Sequence, residues 1–351
     1  MRIGVLMPNW VGDVVMATPA LRLLRERLPD ADLVGIMRPV AAEVLAGVPW
    51  FRDVVYYDRR SDQPEQRMWP VIRQLQEQRL DSIVLFPNSL RSAFVAWRSG
   101  TRERIGIARN GRGLILTRAV RHPRRYFREP VSAMEVYRHL VSQWVGGKTK
   151  YPPQLMTTSH ERALADEVWQ NAGWKKSEKV VVLNSGGAYG PAKDWPLRSF
   201  VTLSHRLVAE LGTKVLMVCG PAERENAEQF VKLADRDEIQ STASLPPSIG
   251  RTKACIQRAA MMISTDSGPR HFAAGYNVPV VALFGPTDDR WSLNDHPSET
   301  RLANDELACR PCAKRTCPLG HHRCMTDLSV ERVMRATQQR WSAFRNKLNA
   351  A

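Results

Sequence analysis

Residues 179–196 read KVVVLNSGGAYGPAKDWP. The run at 179–184 is apolar without polar alternation, the mark of a strand covered on both faces, and it opens directly onto a loop rich in Gly and Pro. A strand buried on both sides belongs to a parallel sheet flanked by helices. The same strand type recurs at 214–218 (KVLMV), 261–265 (MMIST) and 279–284 (PVVALF). In the first half it appears at 2–7 (RIGVLM), 32–37 (DLVGIM), 53–57 (DVVYY), 82–86 (SIVLF) and 103–107 (ERIGI), with helical stretches such as 13–28 and 64–80 between. The pattern predicts α/β architecture with a parallel sheet, twice.

The two halves meet near 146–158 (GGKTKYPPQLMTT), where apolar content drops and Gly, Pro and Thr gather. At roughly 100–200 residues per domain, 351 residues make about two domains. The expected organisation is an N-terminal Rossmann-like domain over 1–150, a second over 151–327, and a C-terminal helix over 328–351. In that last segment Val330, Met334, Thr337, Trp341, Phe344 and Leu348 follow steps of four and three, an amphipathic face that has to dock. Ligands of open α/β sheets bind at the C-terminal edges of the strands, so two such domains imply a cleft between those edges.

Composition excludes several classes. With 43% hydrophobic and 25% charged residues the chain is neither disordered nor collagen-like. No run reaches the ~18 apolar residues of a membrane span. The opening residues loosely resemble a signal peptide, but Pro8 and Asp13 interrupt the apolar core. Six cysteines, four of them within 309–324, do not make a disulfide framework, so a cytoplasmic chain with reduced thiols is expected. Fifty-one Lys and Arg against 35 Asp and Glu leave a net charge of +16. Such a balance suits nucleic acid, an anionic membrane face or a phosphorylated substrate.

Candidate chemistry gathers at strand ends. After the first strand, Asn9-Trp10-Val11-Gly12-Asp13 offers a tight turn and a carboxylate. Asp13 is either an N-cap for a helix from Val14 or a base facing the cleft. After the strand at 179–184, Ser185, Gly186, Gly187 and Tyr189 form a loop whose N–H groups suit an anion, and Lys193 adds a mobile positive charge fit for a diphosphate. The loop is not a Walker A sequence, because Asp194-Trp195 follows the lysine. Asp266, Ser267, Gly268 and His271 stand where a third strand runs into a helix, a second anion-ready turn. Glu223 or Glu225, after another strand, is either a ribose-binding acid or an ordinary helix-start glutamate. Cys309, Cys312, Cys317 and Cys324, with His321 and His322 among them, have partly metal-like spacing. With a single tight pair, reduced thiols packing a loop are the expectation, and no metal is assigned. Residues 102–128 hold nine arginines and one acid, read as a solvated basic face or an anion-binding lip containing Arg118, Arg121, Arg124 and Arg125.

Three of these motifs carry a resemblance. PNWVGD at 8–13 with Ala17-x-Pro19-Ala20-Leu21, GPAKxWP at 190–196, and Thr265-Asp266-Ser267-Gly268-x-x-His271 together resemble the ADP-heptose:lipopolysaccharide heptosyltransferases, the ninth glycosyltransferase family. The similarity spans the chain, and the GPAKxWP form is more similar to the heptosyltransferase II branch than to I. The resemblance implies a GT-B fold and inverting transfer of L-glycero-D-manno-heptose from ADP-heptose to a heptose of the lipopolysaccharide inner core. It implies Asp13 as general base, Lys193 on the donor diphosphate, and Ser185, Gly186, Gly187, Tyr189, Asp266, Ser267, Gly268 and His271 around the donor, with Glu223 on its ribose. Asn9, Trp10 and Gly12 would face the acceptor with the basic lip, which also suits peripheral association with the anionic inner-membrane surface. No cofactor or catalytic metal is implied. Arg270 stands where many members carry an apolar residue, which suggests reach toward a donor phosphate or the acceptor, and some members lack the four-cysteine segment. The rival readings are a GT-B transferase for another nucleotide sugar and a nucleic-acid-binding protein. The second has no helix-turn-helix, RRM or KH signature behind it.

Overall fold

The computed structural model describes residues 1–123, 129–148 and 150–349. They form two compact units: Met1–Met156 with Arg290–Asn294, and Thr157–Asp289 with the described residues from Asp295 onward.

The first unit runs β1 (Arg2–Leu6), α1 (Val11–Arg27), β2 (Asp32–Met37), α2 (Pro39–Leu45), β3 (Asp53–Tyr56), α3 (Met68–Glu77), β4 (Ser82–Leu85), α4 (Leu90–Arg98), β5 (Glu103–Ile107), β6 (Arg118–Val120) and α5 (Ala133–Val145). Its six strands are all parallel in the order β3-β2-β1-β4-β5-β6, with Ile3 registered between Leu33 and Ser82. The central strands explain the unbroken apolar runs, since β4 and all of β1 after Arg2 are buried. At the edge, β3 leaves Val54 and Tyr56 exposed and buries Val55. Helix α1, packed against α5 and α2, is buried on almost every side between Gly12 and Leu24. Ser89 and Ser132 cap α4 and α5 by accepting the N–H groups of Ser92 and Glu135.

The second unit runs α6 (Ser159–Asn171), β7 (Val180–Asn184), α7 (Leu197–Leu211), β8 (Lys214–Met217), α8 (Arg224–Ala234), β9 (Ile239–Ser241), α9 (Ile249–Arg258), β10 (Met261–Thr265), α10 (Arg270–Gly275), β11 (Val280–Phe284), β12 (Glu299–Ala303), α11 (Arg323–Thr326) and α12 (Val330–Asn349). Its parallel order is β12-β11-β10-β7-β8-β9. Thr158 and Glu161 close a reciprocal capping box on α6, and the second carboxylate oxygen of Glu161 takes the buried Lys253 ammonium at 2.8 Å. Helix α12 packs on α7, β11 and β12, burying Met334, Thr337 and Trp341, with Val330 and Phe344 partly covered. The amphipathic stripe thus docks as its spacing demands, although the Leu348 side chain lies outside the described residues.

Three strands escape the sequence pattern. β6, β9 and β12 are short or outermost strands with one buried residue each, so no continuous apolar run marks them. Both sheets reverse strand order beside their first strand, at β1/β4 and at β7/β10. Those reversals open crevices at the C-terminal ends of the strands, where α/β proteins hold ligands. Among the described residues no helix is long and apolar enough to cross a membrane.

Candidate active site

In the first unit the loop after β1 enters α1 at Val11, not Val14, and Val14 N–H closes the first turn on Trp10 O at 2.9 Å. Asp13 is therefore the third residue of the helix and caps nothing; the capping position belongs to Trp10, whose side chain makes no cap bond. Among the described residues the half-buried Asp13 carboxylate has no hydrogen-bond or ion-pair partner. Burial pushes its pKa up from 3.8 to about 6. Tyr137, in α5, is raised by its own burial and by the charge of Asp13 beside it. A lone acid that takes a proton near neutrality is the form of a general base.

Beside it, at the β1/β4 crevice, a cavity of about 310 Å³ is lined by Asn9, the exposed Trp10, and Arg38, Arg59, Arg60 and Arg91. Asp58 neutralises one arginine, Arg38, at 2.7 Å. No charge run in the sequence marks this set, because its arginines come from the loops after β2 and β3 and from the start of α4, and meet only when the sheet forms.

The arginine stretch behaves differently from the expected lip. Arg112 is fully buried and donates to Ile107 O (2.8 Å), Pro87 O (2.5 Å), Asn88 Oδ1 (2.9 Å) and Ser92 Oγ (3.1 Å). Without a carboxylate partner, burial lowers its pKa to about 10. Arg104 is likewise spent on Ile115 O and Thr101 O. These two arginines hold loops together and face no anion. Arg118 is exposed and pairs with Glu103 at 3.4 Å, Arg121 is exposed, and Arg124 and Arg125 lie outside the described residues.

In the second unit the adjacency of β7 and β10 brings the two anion-ready loops together. A Cβ on Gly187 would come 3.2 Å from Ser267 Cβ, and Ser267 Oγ donates to Asn184 Oδ1 at 2.6 Å. Ser185 is buried, and Gly186 faces Glu223 and Asp194. The half-buried Asp194 is pushed up to about 6 by burial, with Glu223 adding to the rise and His322 opposing it.

Lys193 is not a mobile charge. It is 9% exposed, and its Nζ donates to Asp266 Oδ2 at 2.5 Å and Asp266 O at 2.9 Å while lying 4.4 Å from the Tyr189 ring. Burial alone would raise Asp266, but Arg270 and Lys193 outweigh it, with hydrogen bonds from Lys193 and Thr287, and hold it at about 2. The site thus presents a fixed ion pair at the end of β10 beside Gly268.

Arg270, expected to reach a ligand phosphate or the acceptor, is instead fully buried. Its guanidinium pairs with Glu299, lies 3.8 Å from Asp266 and bonds His271 Nε2 at 3.1 Å. Burial and that guanidinium push the His271 pKa well down, so the imidazole is neutral. Glu223 accepts Gly220 N–H at 2.8 Å and so caps its own turn.

The model of glycosyltransferase family 9 (heptosyltransferase) matches residues 68–323, most of the chain. The chain belongs to glycosyltransferase family 9. This family 9 enzyme, a glycosyltransferase, is similar over its whole length to lipooligosaccharide heptosyltransferase 2 of Campylobacter jejuni, at 24% identity covering 95% of this chain and 96% of that one. It is equally similar to lipopolysaccharide heptosyltransferase 2 of Escherichia coli, at 24% identity covering 95% and 97%. Among solved structures, E. coli ADP-heptose lps heptosyltransferase II superposes with a TM-score of 0.80 at 20% identity, over 98% of this chain and 99% of that one. The family 9 structure from Veillonella parvula superposes at 0.82 and 21%, over 97% of each. The two parallel six-stranded sheets are the GT-B architecture of these family 9 neighbours.

Proposed function

We propose that this family 9 glycosyltransferase moves L-glycero-D-manno-heptose from ADP-heptose to a heptose of the lipopolysaccharide inner core, with inversion. The observation that carries the reading is Asp13: a partner-free, half-buried carboxylate with a pKa of about 6, in the first turn of α1, just after Asn9 and Trp10, which line an arginine-rich cavity. Inversion by single displacement needs one base. Asp13 takes the proton of the acceptor hydroxyl, the oxygen attacks the anomeric carbon, and the bond to the diphosphate breaks as ADP departs.

The second unit serves the leaving group. Ser185, Gly186 and Gly187, with Ser267 and Gly268, provide the backbone donors of the two joined loops, and Lys193 offsets the charge that grows on the diphosphate. Asp266 fixes the Lys193 ammonium and so orients it before the donor arrives. Tyr189, His271 and Glu223 complete the donor side, His271 as a neutral and immobile wall. On the acceptor side Asn9 and Trp10 line the cavity, and Gly12 stands between them and Asp13 in the chain. Arg59, Arg60 and Arg91 suit an acceptor carrying phosphate or carboxylate, and Trp10 offers a flat face for a sugar ring. No resident metal has a part in this reading. The names of the relatives support a transferred heptose and a lipopolysaccharide acceptor; the charge of +16 supports peripheral binding to an anionic membrane.

The test is a panel of ADP-, UDP- and GDP-sugars in a thermal-shift assay, followed by transfer to a heptosylated inner-core acceptor. Stabilisation by ADP-heptose alone, with a new heptose on the acceptor, is the expected result. Preference for a UDP- or GDP-sugar would move the chain to another donor class. Liposome binding that ignores ionic strength would remove the membrane part.

A further inference from the structure

Residues 309–324 have no regular element until α11 begins at Arg323, and Cys324 alone among them is buried, while Leu319 is 61% exposed. Ala313 and His322 sit at positive φ, 52° and 51°, which non-glycine residues adopt only under restraint. Even so, the segment grips the donor loop closely. Arg315 O accepts Ala192 N–H at 3.0 Å, Ala313 O accepts the Tyr189 hydroxyl at 2.6 Å, and His322 Nε2 bonds Ala192 O at 2.9 Å. Gly190, at φ 139°, passes so close that a Cβ there would lie 2.7 Å from Arg315 O. A stretch without a core of its own needs another source of order to hold such contacts.

The four cysteines supply a candidate. All are free thiols, and together they line one small cavity with His321, His322 and Ala192. Its free volume is about 20 Å³, close to that of a single water-sized sphere. Between 309 and 326 the chain carries Arg310, Lys314, Arg315 and Arg323 and no acid, a positive surround for a cluster of thiolates. The histidines are engaged elsewhere, His322 with Ala192 O and His321 Nδ1 with Arg323 N–H.

We propose that Cys309, Cys312, Cys317 and Cys324 bind one tetrahedral thiolate-held metal ion, of the zinc or ferrous class, which braces the donor loop through residues 313–322. As they lie, no three His, Cys, Asp or Glu side chains among the described residues form a ready-made metal-holding group. The ion therefore closes the site by drawing in thiols that already line one cavity, and it displaces their protons as it does so. Its part is structural, because four sulfurs leave no open position for substrate.

The experiment is elemental analysis of the purified full chain, with anaerobic Co²⁺ loading of stripped protein. One equivalent of zinc or iron, and a sulfur-to-cobalt charge-transfer band on loading, are expected. Release by chelator should expose four thiols together to a thiol reagent. Cys312→Ser and Cys317→Ser should lose the metal, and Cys255→Ser, in α9, should keep it. A chain that binds no transition metal when isolated and gives no cobalt–thiolate band overturns the site, and because the band is read on the unmutated chain this holds even if the variants misfold. Full metal retention by Cys317→Ser overturns it as well. The bracing rests on the donor reading given above. Stripping should weaken ADP binding severalfold; unchanged affinity refutes the bracing, whereas a metal-loaded chain that fails to bind ADP refutes the donor reading instead.

Discussion

Replacing Asp13 by Asn separates the cost of the acid from its use. The folded chain raises this carboxyl from 3.8 to about 6, so it holds the proton more tightly than the unfolded chain does. A stabilising contribution is then complete below about pH 4, falls away as pH rises to about 6, and is gone above it. Roughly two pKa units correspond to about 3 kcal/mol of disfavoured charge in the folded state at neutral pH. Asn has no proton to lose and nearly the same shape. Asp13→Asn should therefore match the parent near pH 4 and exceed its stability by up to about 3 kcal/mol above pH 7. The assay is urea denaturation of both proteins across that pH range, read on the transition that reports the first unit; charges common to both chains cancel in the difference. Turnover should move the other way. Loss of the base should lower kcat by about 10²–10⁴ without altering ADP affinity, and parental kcat/KM should rise with pH through about 6. Equal stability at pH 7.5 would refute the buried-acid argument, and near-parental turnover would refute the base.

Lys193→Ala should weaken ADP binding and also cost about 3–5 kcal/mol, because Asp266 is left buried with one cation fewer; calorimetry and thermal unfolding read the two effects. Arg60→Ala, in the loop after β3, and Arg91→Ala, at the start of α4, should raise the acceptor KM and leave ADP affinity untouched, as steady-state kinetics with varied acceptor will show. Arg112→Met should lower stability by about 2–4 kcal/mol, since four buried acceptors lose their donor, and should leave the salt dependence of acceptor binding unchanged. Trp341→Ala should cost about 3–5 kcal/mol by emptying the seat of α12, measured as a drop in the denaturation midpoint.

Much of the architecture was legible in the chain. Continuous apolar runs such as 82–86 and 261–265 mark strands covered on both faces whatever they pack against, because burial on two sides leaves no place for a polar residue. The stripe from Val330 to Phe344 likewise required a docking surface. The loop chemistry of 185–193 and 266–268 was visible because Gly-rich turns after strands expose N–H groups locally.

What the chain alone left open depends on neighbours remote in sequence. Whether Asp13 caps a helix or stands unpaired was decided by where α1 begins and by the packing of α5 against it. Whether Arg112 and Arg270 face solvent or the core was decided by the loops and sheet that closed over them, for a guanidinium reads the same in sequence whether it meets an anion or a set of neutral carbonyl and hydroxyl oxygens. The arginines of the first-unit cavity are scattered along the chain, and strand order alone collects them. Periodicity and composition are local properties and fix local structure; charge pairing, desolvation and the pKa values that follow are properties of assembled surroundings, which tertiary structure alone supplies.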